Sequence, residues 1–370
     1  MGNGQGGWIW KTLATGLAAM VLIGSVVAQD QPRRNRGRLR DQGGDALKKV
    51  RPQGGDPLAP QAKEKGQAKD NGVPPAVGTY HYTFKLHSFD GTVLAASYYP
   101  SKLASSAPAV VLIHEVSRSR KDFEEPVAEL KGQGFAEHLQ RERYAVVSVD
   151  LRGQGQNPRH ELNANDRASL VSDLQAVYMF LLDRHNRGDL NVGKLGVLGL
   201  GAGGNLAAAW AFQPGAAVSV EGEASDLNAL ALISPLSQGS GYSLRQIIPQ
   251  LAPKVPIALL TGGKDEASKD AVESVRGVVE RERLSKIELF PSSLSGYKLL
   301  RLEPKVTGVI MKFLEGAIKL RAVEWEPRYN LTPVTVSDIT IVKHKDAAEN
   351  AKKAQEKEAA EEPKKEEPKE

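Results

Sequence analysis

The sequence predicts an α/β protein with a doubly wound, mostly parallel sheet. Short apolar runs of strand length, such as AVVLI at 109–113, alternate with longer segments whose apolar residues recur at helical spacing. A buried-strand run at 195–200 leads through a glycine turn directly into a small-residue helix. Both ends of the chain are polar and lack this periodicity. We therefore expect one large folded domain between two tails.

The predicted elements follow one another from Tyr80. YHYTFKLHSFDGTVLAASYYP alternates on both sides of Asp90-Gly91 and predicts a β-hairpin. Further strands are predicted at 109–113, 144–150, 194–198, 229–233, 256–260, 287–290 and 334–342. Helices are predicted near 121–140, 165–184, 201–212, 267–283 and 303–320. Residues 235–251, between two strands, are expected to form a short cap over a cleft.

Composition excludes several kinds of chemistry. The 370 residues include no cysteine, which excludes disulfides, a cysteine nucleophile and thiolate metal sites. No His-x-x-x-His pattern or carboxylate cluster has the spacing of metal ligands. We expect neither a metal nor a cofactor.

Residues 1–28 have the pattern of a secretory signal peptide. Lys11 provides the basic region, residues 13–24 are apolar, and Val26-Val27-Ala28 fits a cleavage site. We expect cleavage near Ala28 and export to the periplasm or the medium. The alternative is an uncleaved N-terminal anchor, for which the apolar run is short. No later stretch predicts a transmembrane segment.

The next segment, 29–78, is predicted to be a disordered basic linker. It contains eleven Lys/Arg and six Asp/Glu, so its excess of +5 equals the net charge of the whole chain. The arginine-rich run Arg33–Arg40 is either a solvated tether or a contact with an anionic envelope polymer or lipid. No aromatic residue is interleaved, so specific nucleic-acid binding is not expected. The folded domain is predicted at 79–322, a C-terminal extension at 323–345 and a disordered Lys/Glu-rich tail at 346–370.

The most informative motif is LGVLGLGAGGNLAAAW at 195–210. It resembles the nucleophile elbow of the α/β-hydrolase superfamily, with glycine at position 201 where the nucleophile is expected. Four further stretches occur in the order typical of that superfamily: VLIHE at 111–115, VVSVDLRGQGQN at 146–157, PIALLTGGKDE at 256–266 and IELFPSSLSGYKLL at 287–300. The chain is most similar to the dienelactone-hydrolase and esterase branch. The resemblance implies an α/β-hydrolase-type sheet with an N-terminal β-hairpin.

The resemblance also implies the site positions. Gly201 occupies the position of the nucleophile, Asp265 that of the acid and Ser295 that of the histidine. The nucleophile and the histidine of the triad are therefore lost. The oxyanion donors would be the N–H of Ala202 and one from Glu115–Val116, next to His114.

Several other side chains have a chemical or a structural interpretation. Glu115 and Asp150 end strands at the mouth of the site, where either would act as a base for water. Alternatively, Asp150 accepts hydrogen bonds from the backbone of its own loop, and Asp265 caps the helix that follows it. His114 is expected to pack or to bond backbone. His344 alone among the seven histidines follows the elbow, but it lies in the extension.

The same glycines also match a dinucleotide fingerprint, G-x-G-x-x-G, at Gly199, Gly201 and Gly204. Glu221 or Glu223 would then contact the ribose. The position of the motif after two earlier βα units argues against this alternative. The sequence thus favours an exported, non-catalytic α/β-hydrolase-like protein that binds a small ligand or an envelope partner. The alternatives are an active serine-independent hydrolase and an envelope scaffold.

Overall fold

A nine-stranded sheet forms the centre of the protein in a computed structural model that describes residues 56–58, 76–213, 226–328 and 334–344. Its strands, in chain order, are β1 (Tyr80–His87), β2 (Val93–Tyr99), β3 (Pro108–Ile113), β4 (Ala145–Val149), β5 (Asn191–Leu200), β6 (Leu227–Ile233), β9 (Ile257–Gly262), β10 (Lys286–Phe290) and β11 (Val336–Lys343). A separate two-stranded hairpin consists of β7 (Gln238–Gly239) and β8 (Tyr242–Ser243).

The helices connect these strands. They are α1 (Phe135–Arg141), α2 (Ala164–Asn186), α3 (Gly201–Phe212), α4 (Leu244–Leu251), α5 (Glu266–Glu273), α6 (Arg276–Val279), α7 (Gly296–Leu302) and α8 (Val306–Leu314). Helix α2 begins at a capping box, in which the Asn163 side chain accepts from Asp166 N–H and the Asp166 side chain accepts from Asn163 N–H.

The sheet has the order β10-β9-β6-β5-β3-β4-β2-β1-β11. The six strands from β10 to β4 are parallel, and β2, β1 and β11 add an antiparallel edge. Strand β3 is buried on both faces, because Val111 belongs to the apolar core under α2 and α3, whereas Leu112 belongs to the core under α1, α7 and α8. The predicted doubly wound α/β fold is confirmed.

The helix predicted over 121–140 is wrong in its first half. Two short 3-10 turns, Arg120–Phe123 and Ala128–Leu130, precede the seven-residue helix α1. Pro126 and Gly134 interrupt the segment, and Lys131 adopts a φ of 51°. A Cβ at Gly134 would lie 2.5 Å from the Glu124 carbonyl oxygen, so the chain folds back on itself here.

Described residues outside 79–322 also contact the folded domain. The C-terminal extension belongs to the main sheet, because β11 pairs antiparallel with β1. Within the predicted linker, Leu58 is 3 % exposed and Asp56 lies 2.8 Å from the guanidinium of Arg184. The predicted signal peptide, most of the linker and the tail lie outside the described residues. Within the described ranges, no helix has the length and apolar character needed to span a membrane.

Candidate functional site

The turn between β5 and α3 lies at the edge of the sheet where the parallel strands end. Gly201 follows Leu200 directly and has a φ of +52°, a conformation that glycine adopts without steric cost. Neighbouring strands β3 and β6 flank this point on both sides, with Gly199 opposite Ile113 and Leu200 opposite Ile233. In open α/β sheets, ligands bind at this edge.

The other glycines of the motif allow α3 to approach the sheet. A Cβ at Gly199 would lie 2.6 Å from Gly204 Cα, and a Cβ at Gly203 would lie 2.1 Å from the His114 carbonyl oxygen. Close packing of helix on strand accounts for these glycines without a dinucleotide. Glu221 and Glu223, which the dinucleotide alternative would require, lie outside the described residues.

Glu115 occupies the space in front of the elbow. A Cβ at Gly201 would lie 2.9 Å from Glu115 Cγ and 3.1 Å from its Cδ. A Cβ at Gly296 would lie 2.5 Å from Glu115 Oε2 and 3.0 Å from the same Cδ. The half-buried carboxylate therefore fills the space that side chains at these two positions would enter. Tyr297 N–H lies 3.4 Å from Oε2 and donates to it.

Gly296, rather than Ser295, is the residue that faces Glu115. Ser295 is exposed and stands at the N-cap position of α7, and its side chain makes no capping hydrogen bond. Gly296 is buried with a φ of +50°. The sequence analysis assigned the histidine position to Ser295 and not to Gly296. Glycine has no side chain that would mark a site, and the motif does not distinguish between two adjacent residues.

Asp265 stands between β9 and α5, at the N-cap position of that helix. Burial raises the pKa of its carboxyl group, and the Ser268 backbone N–H acts in the opposite direction. No histidine is positioned to use this carboxylate as an orienting acid. His344 directly follows β11 and lies beside His81, with 3.2 Å between His81 Nδ1 and His344 Nε2. His81 stacks on Tyr99, which pairs with Val146 near the beginning of β4, at the opposite edge of the sheet.

His114 is fully buried and both of its ring nitrogens bond backbone. Nδ1 donates to the Glu115 carbonyl oxygen at 2.7 Å, and Nε2 accepts from Leu151 N–H at 3.0 Å. Because an amide N–H can only donate, Nε2 is unprotonated and the imidazole is neutral. Burial lowers the pKa of His114 and maintains this state. The residue therefore holds the loops after β3 and β4 together.

Both carboxylate oxygens of Asp150 likewise accept hydrogen bonds from neighbouring residues. Its Oδ1 accepts from Arg120 N–H at 2.7 Å, and its Oδ2 accepts from Arg120 Nη1 at 2.6 Å and from Gln156 N–H at 2.9 Å. A Cβ at Gly155 would lie 2.2 Å from its Cγ, so its own loop encloses it. Of the two carboxylates that sequence analysis placed at the mouth, Glu115 alone lies against the elbow.

A cleft with a volume of about 980 Å³ opens beside the elbow. The predicted oxyanion positions Val116 and Ala202 line it, and Ser240 and Gly241 from the β7–β8 turn form part of its wall. The predicted cap is thus the β7–β8 hairpin followed by α4. Further lining residues that the sequence did not single out as a site are Ser117, Gln154, Arg159, His160, Glu161 and Arg167. No group of three or more metal-ligating side chains converges within the part of the chain that the structure describes.

Comparison with known proteins agrees with this architecture. Residues 108–256 match the family model described as serine aminopeptidase, S33. No curated protein matches the chain in sequence. The parallel strand order and the glycine turn are those of the α/β-hydrolase fold, and the matched family model covers the segment from β3 to the residue before β9.

Several solved structures are similar. The Pyrococcus furiosus esterase Pf2001 is 14 % identical, with 66 % of this chain and 94 % of the esterase covered and a TM-score of 0.46. The Pyrococcus horikoshii acylaminoacyl peptidase is 16 % identical, with 67 % and 43 % covered and a TM-score of 0.47. The α/β hydrolase GrgF from Penicillium sp. sh18 is 13 % identical, with 64 % and 99 % covered and a TM-score of 0.45.

Proposed function

We propose that this α/β-hydrolase-fold protein is not a hydrolase and binds a small ligand in the cleft beside Ala202. The observation that carries the proposal is the position of Glu115, whose carboxylate fills the space between Gly201 and Gly296. Acyl transfer by this fold needs a nucleophile on the elbow and a base beside it. Glycine supplies neither group, whereas the cleft and the backbone donors of the α3 N-terminus do not depend on those side chains.

The proposal extends to the ends of the chain. The signal-peptide pattern at 1–28 supports export, with cleavage near Ala28. The run Arg33–Arg40 supports contact with an anionic envelope polymer or lipid, which would keep the ligand-binding domain at the envelope.

One observation favours a second candidate, a serine-independent hydrolase. Glu115 makes no ion pair with any described residue, and its carboxylate lies against the elbow, where it would accept a proton from an attacking water. Asp150 does not fit this role, because Arg120 and Gln156 occupy its oxygens.

Hydrolysis of p-nitrophenyl acetate and butyrate by the purified full chain distinguishes the two candidates. We expect no turnover above that of buffer. Turnover by the native protein that Glu115→Gln abolishes would overturn the non-catalytic proposal and establish Glu115 as the base. Glu124→Gln is the matched control, since Glu124 bonds Ser97 and lies outside the elbow.

A further inference from the structure

One wall of the cleft beside Ala202 presents hydrogen-bond donors without protein acceptors. Gln154 is 8 % exposed and lines the cleft. Its Oε1 accepts from Ser117 N–H at 2.7 Å, which fixes the orientation of the side-chain amide. The NH₂ group at the other end of that amide donates to no described residue. This nitrogen is not among the fully enclosed unpartnered atoms of the described residues, so it is open to the cleft and donates to water or to a ligand there.

Two guanidinium groups line the same cleft without a counter-ion. Arg159 and Arg167 are exposed and form no ion pair with any residue in the described ranges. Nearby arginines are different, because Arg152 bonds Asp173 at 2.6 Å and Arg120 bonds Asp150 at the same distance. Asp173 and Asp150 are therefore already paired with other cations, whereas Glu115 and Glu161 form no ion pair within the described ranges.

The remaining charges of the lining do not cancel this positive character. His160 lies 3.3 Å from Asp166, a contact that neutralises Asp166 when the imidazole is protonated. Glu161 is exposed and is the one carboxylate among the lining residues. The first turn of α3, at Ala202, adds backbone N–H groups that no side chain caps. Donors and cations thus outnumber acceptors and anions on this wall.

We infer that the cleft binds a small organic anion, a carboxylate or a phosphate monoester that carries a short apolar chain. Gln154 NH₂ and the guanidinium groups of Arg159 and Arg167 bind the charged oxygens, because charge-assisted bonds to guanidinium suit planar or tetrahedral oxyanions. Val116, Leu162 and Leu170 on the lining contact the apolar chain. This inference rests on the proposed ligand-binding function and specifies the class of ligand.

Isothermal titration calorimetry of the full chain tests the inference. It measures the dissociation constants of hexanoate, hexyl phosphate and the neutral hexanamide. We expect at least one anion to bind about 10-fold or more tightly than hexanamide, since one charge-assisted hydrogen bond contributes roughly that factor. Arg159→Gln/Arg167→Gln is expected to abolish the difference. Gln154→Glu keeps the acceptor for Ser117 but replaces the NH₂ group with a second oxygen, so it is expected to weaken both anions as well.

Arg245→Gln is the matched control, because Arg245 is exposed, forms no ion pair with a residue that the structure describes and does not line the cleft. It is expected to bind as the native protein does, which shows that weaker binding by the double variant does not follow from the removal of any exposed arginine. The stronger of the two anions identifies the head group.

Equal binding of hexanamide and the anions overturns the anion inference and leaves the ligand-binding function standing. Absence of binding by all three probes, or anion binding that persists in Arg159→Gln/Arg167→Gln, also overturns it. The proposed function fails by a different measurement, namely ester turnover that depends on Glu115.

Discussion

At the residue scale, Gly201, Gly296 and Glu115 lie together where the parallel strands end. Both glycines have positive φ, and a Cβ added to either would lie about 3 Å from Glu115 Cδ. Side chains placed at 201 and 296 would therefore meet each other once the carboxylate is removed. The backbone at Gly201 has the positive φ that an elbow requires.

This geometry predicts how the chemistry can be rebuilt. Glu115→Ala/Gly201→Ser/Gly296→His is expected to hydrolyse p-nitrophenyl acetate on the order of 10²-fold faster than Glu115→Ala/Gly201→Ser, since a positioned general base contributes at least that factor. The matched control replaces Ser295 instead of Gly296 with histidine. Because Ser295 is exposed at the N-cap position of α7, this control is expected to gain nothing. Equal gains from both histidine positions would contradict the placement of Gly296.

At the scale of elements, the junction of β5 and α3 positions the cleft. The helix begins immediately after the strand, and its first turn packs against the loop after β3. Gly203 makes this possible, because any Cβ there would lie 2.1 Å from the His114 carbonyl oxygen. His114 in turn ties that loop to the loop after β4 through Leu151 N–H. The helix, two loops and the mouth of the cleft are thus one packed unit.

Gly203→Ala is therefore expected to destabilise the protein by about 1–3 kcal/mol, the usual effect of inserting a methyl group into packed structure. The measurement is the free energy of unfolding in urea. Gly308→Ala is the matched control, since Gly308 lies inside α8 with open space around it. The control is expected to gain roughly 0.5–1 kcal/mol from helix propensity. A loss of stability from Gly308→Ala, or none from Gly203→Ala, would show that this packing account is incorrect.

At the scale of the whole molecule, residues from both ends of the described chain contact the domain. Strand β11 covers the edge of β1 that would otherwise be unpaired, and His344 at its end contacts His81. Asp56 and Leu58 contact the domain near Arg184. The groups around the histidine pair are Tyr99 on β2, Arg120, and Glu137 and Arg141 on α1.

The histidine pair predicts a dependence of stability on pH. Burial lowers the pKa of His81 to about 4, and His344 and Arg120 act in the same direction. The unfolded chain takes up this proton near pH 6.5 and the folded chain does so only near pH 4. The contribution of His81 to stability is therefore complete above pH 6.5 and is lost as the pH falls towards 4.

His81→Phe removes this titration and retains a ring that stacks on Tyr99. Between pH 7.5 and pH 4.5, the free energy of unfolding of the variant is expected to fall by about 2 kcal/mol less than that of the native protein. Urea unfolding at the two pH values provides the measurement. An equal fall for the native protein and His81→Phe would exclude His81 as the source.

The sequence by itself determined the fold class, the alternation of strands and helices along the chain and the glycine at 201. These features depend on local periodicity and on a turn motif, which neighbouring residues encode together. Only the tertiary structure decided that Gly296 faces Glu115, that β11 completes the sheet, and that Gln154, Arg159 and Arg167 share one cleft. Glu115 and Tyr297 are separated by 182 positions along the chain. Contacts of this kind follow from how packed elements meet in space, and no local pattern in the sequence specifies them.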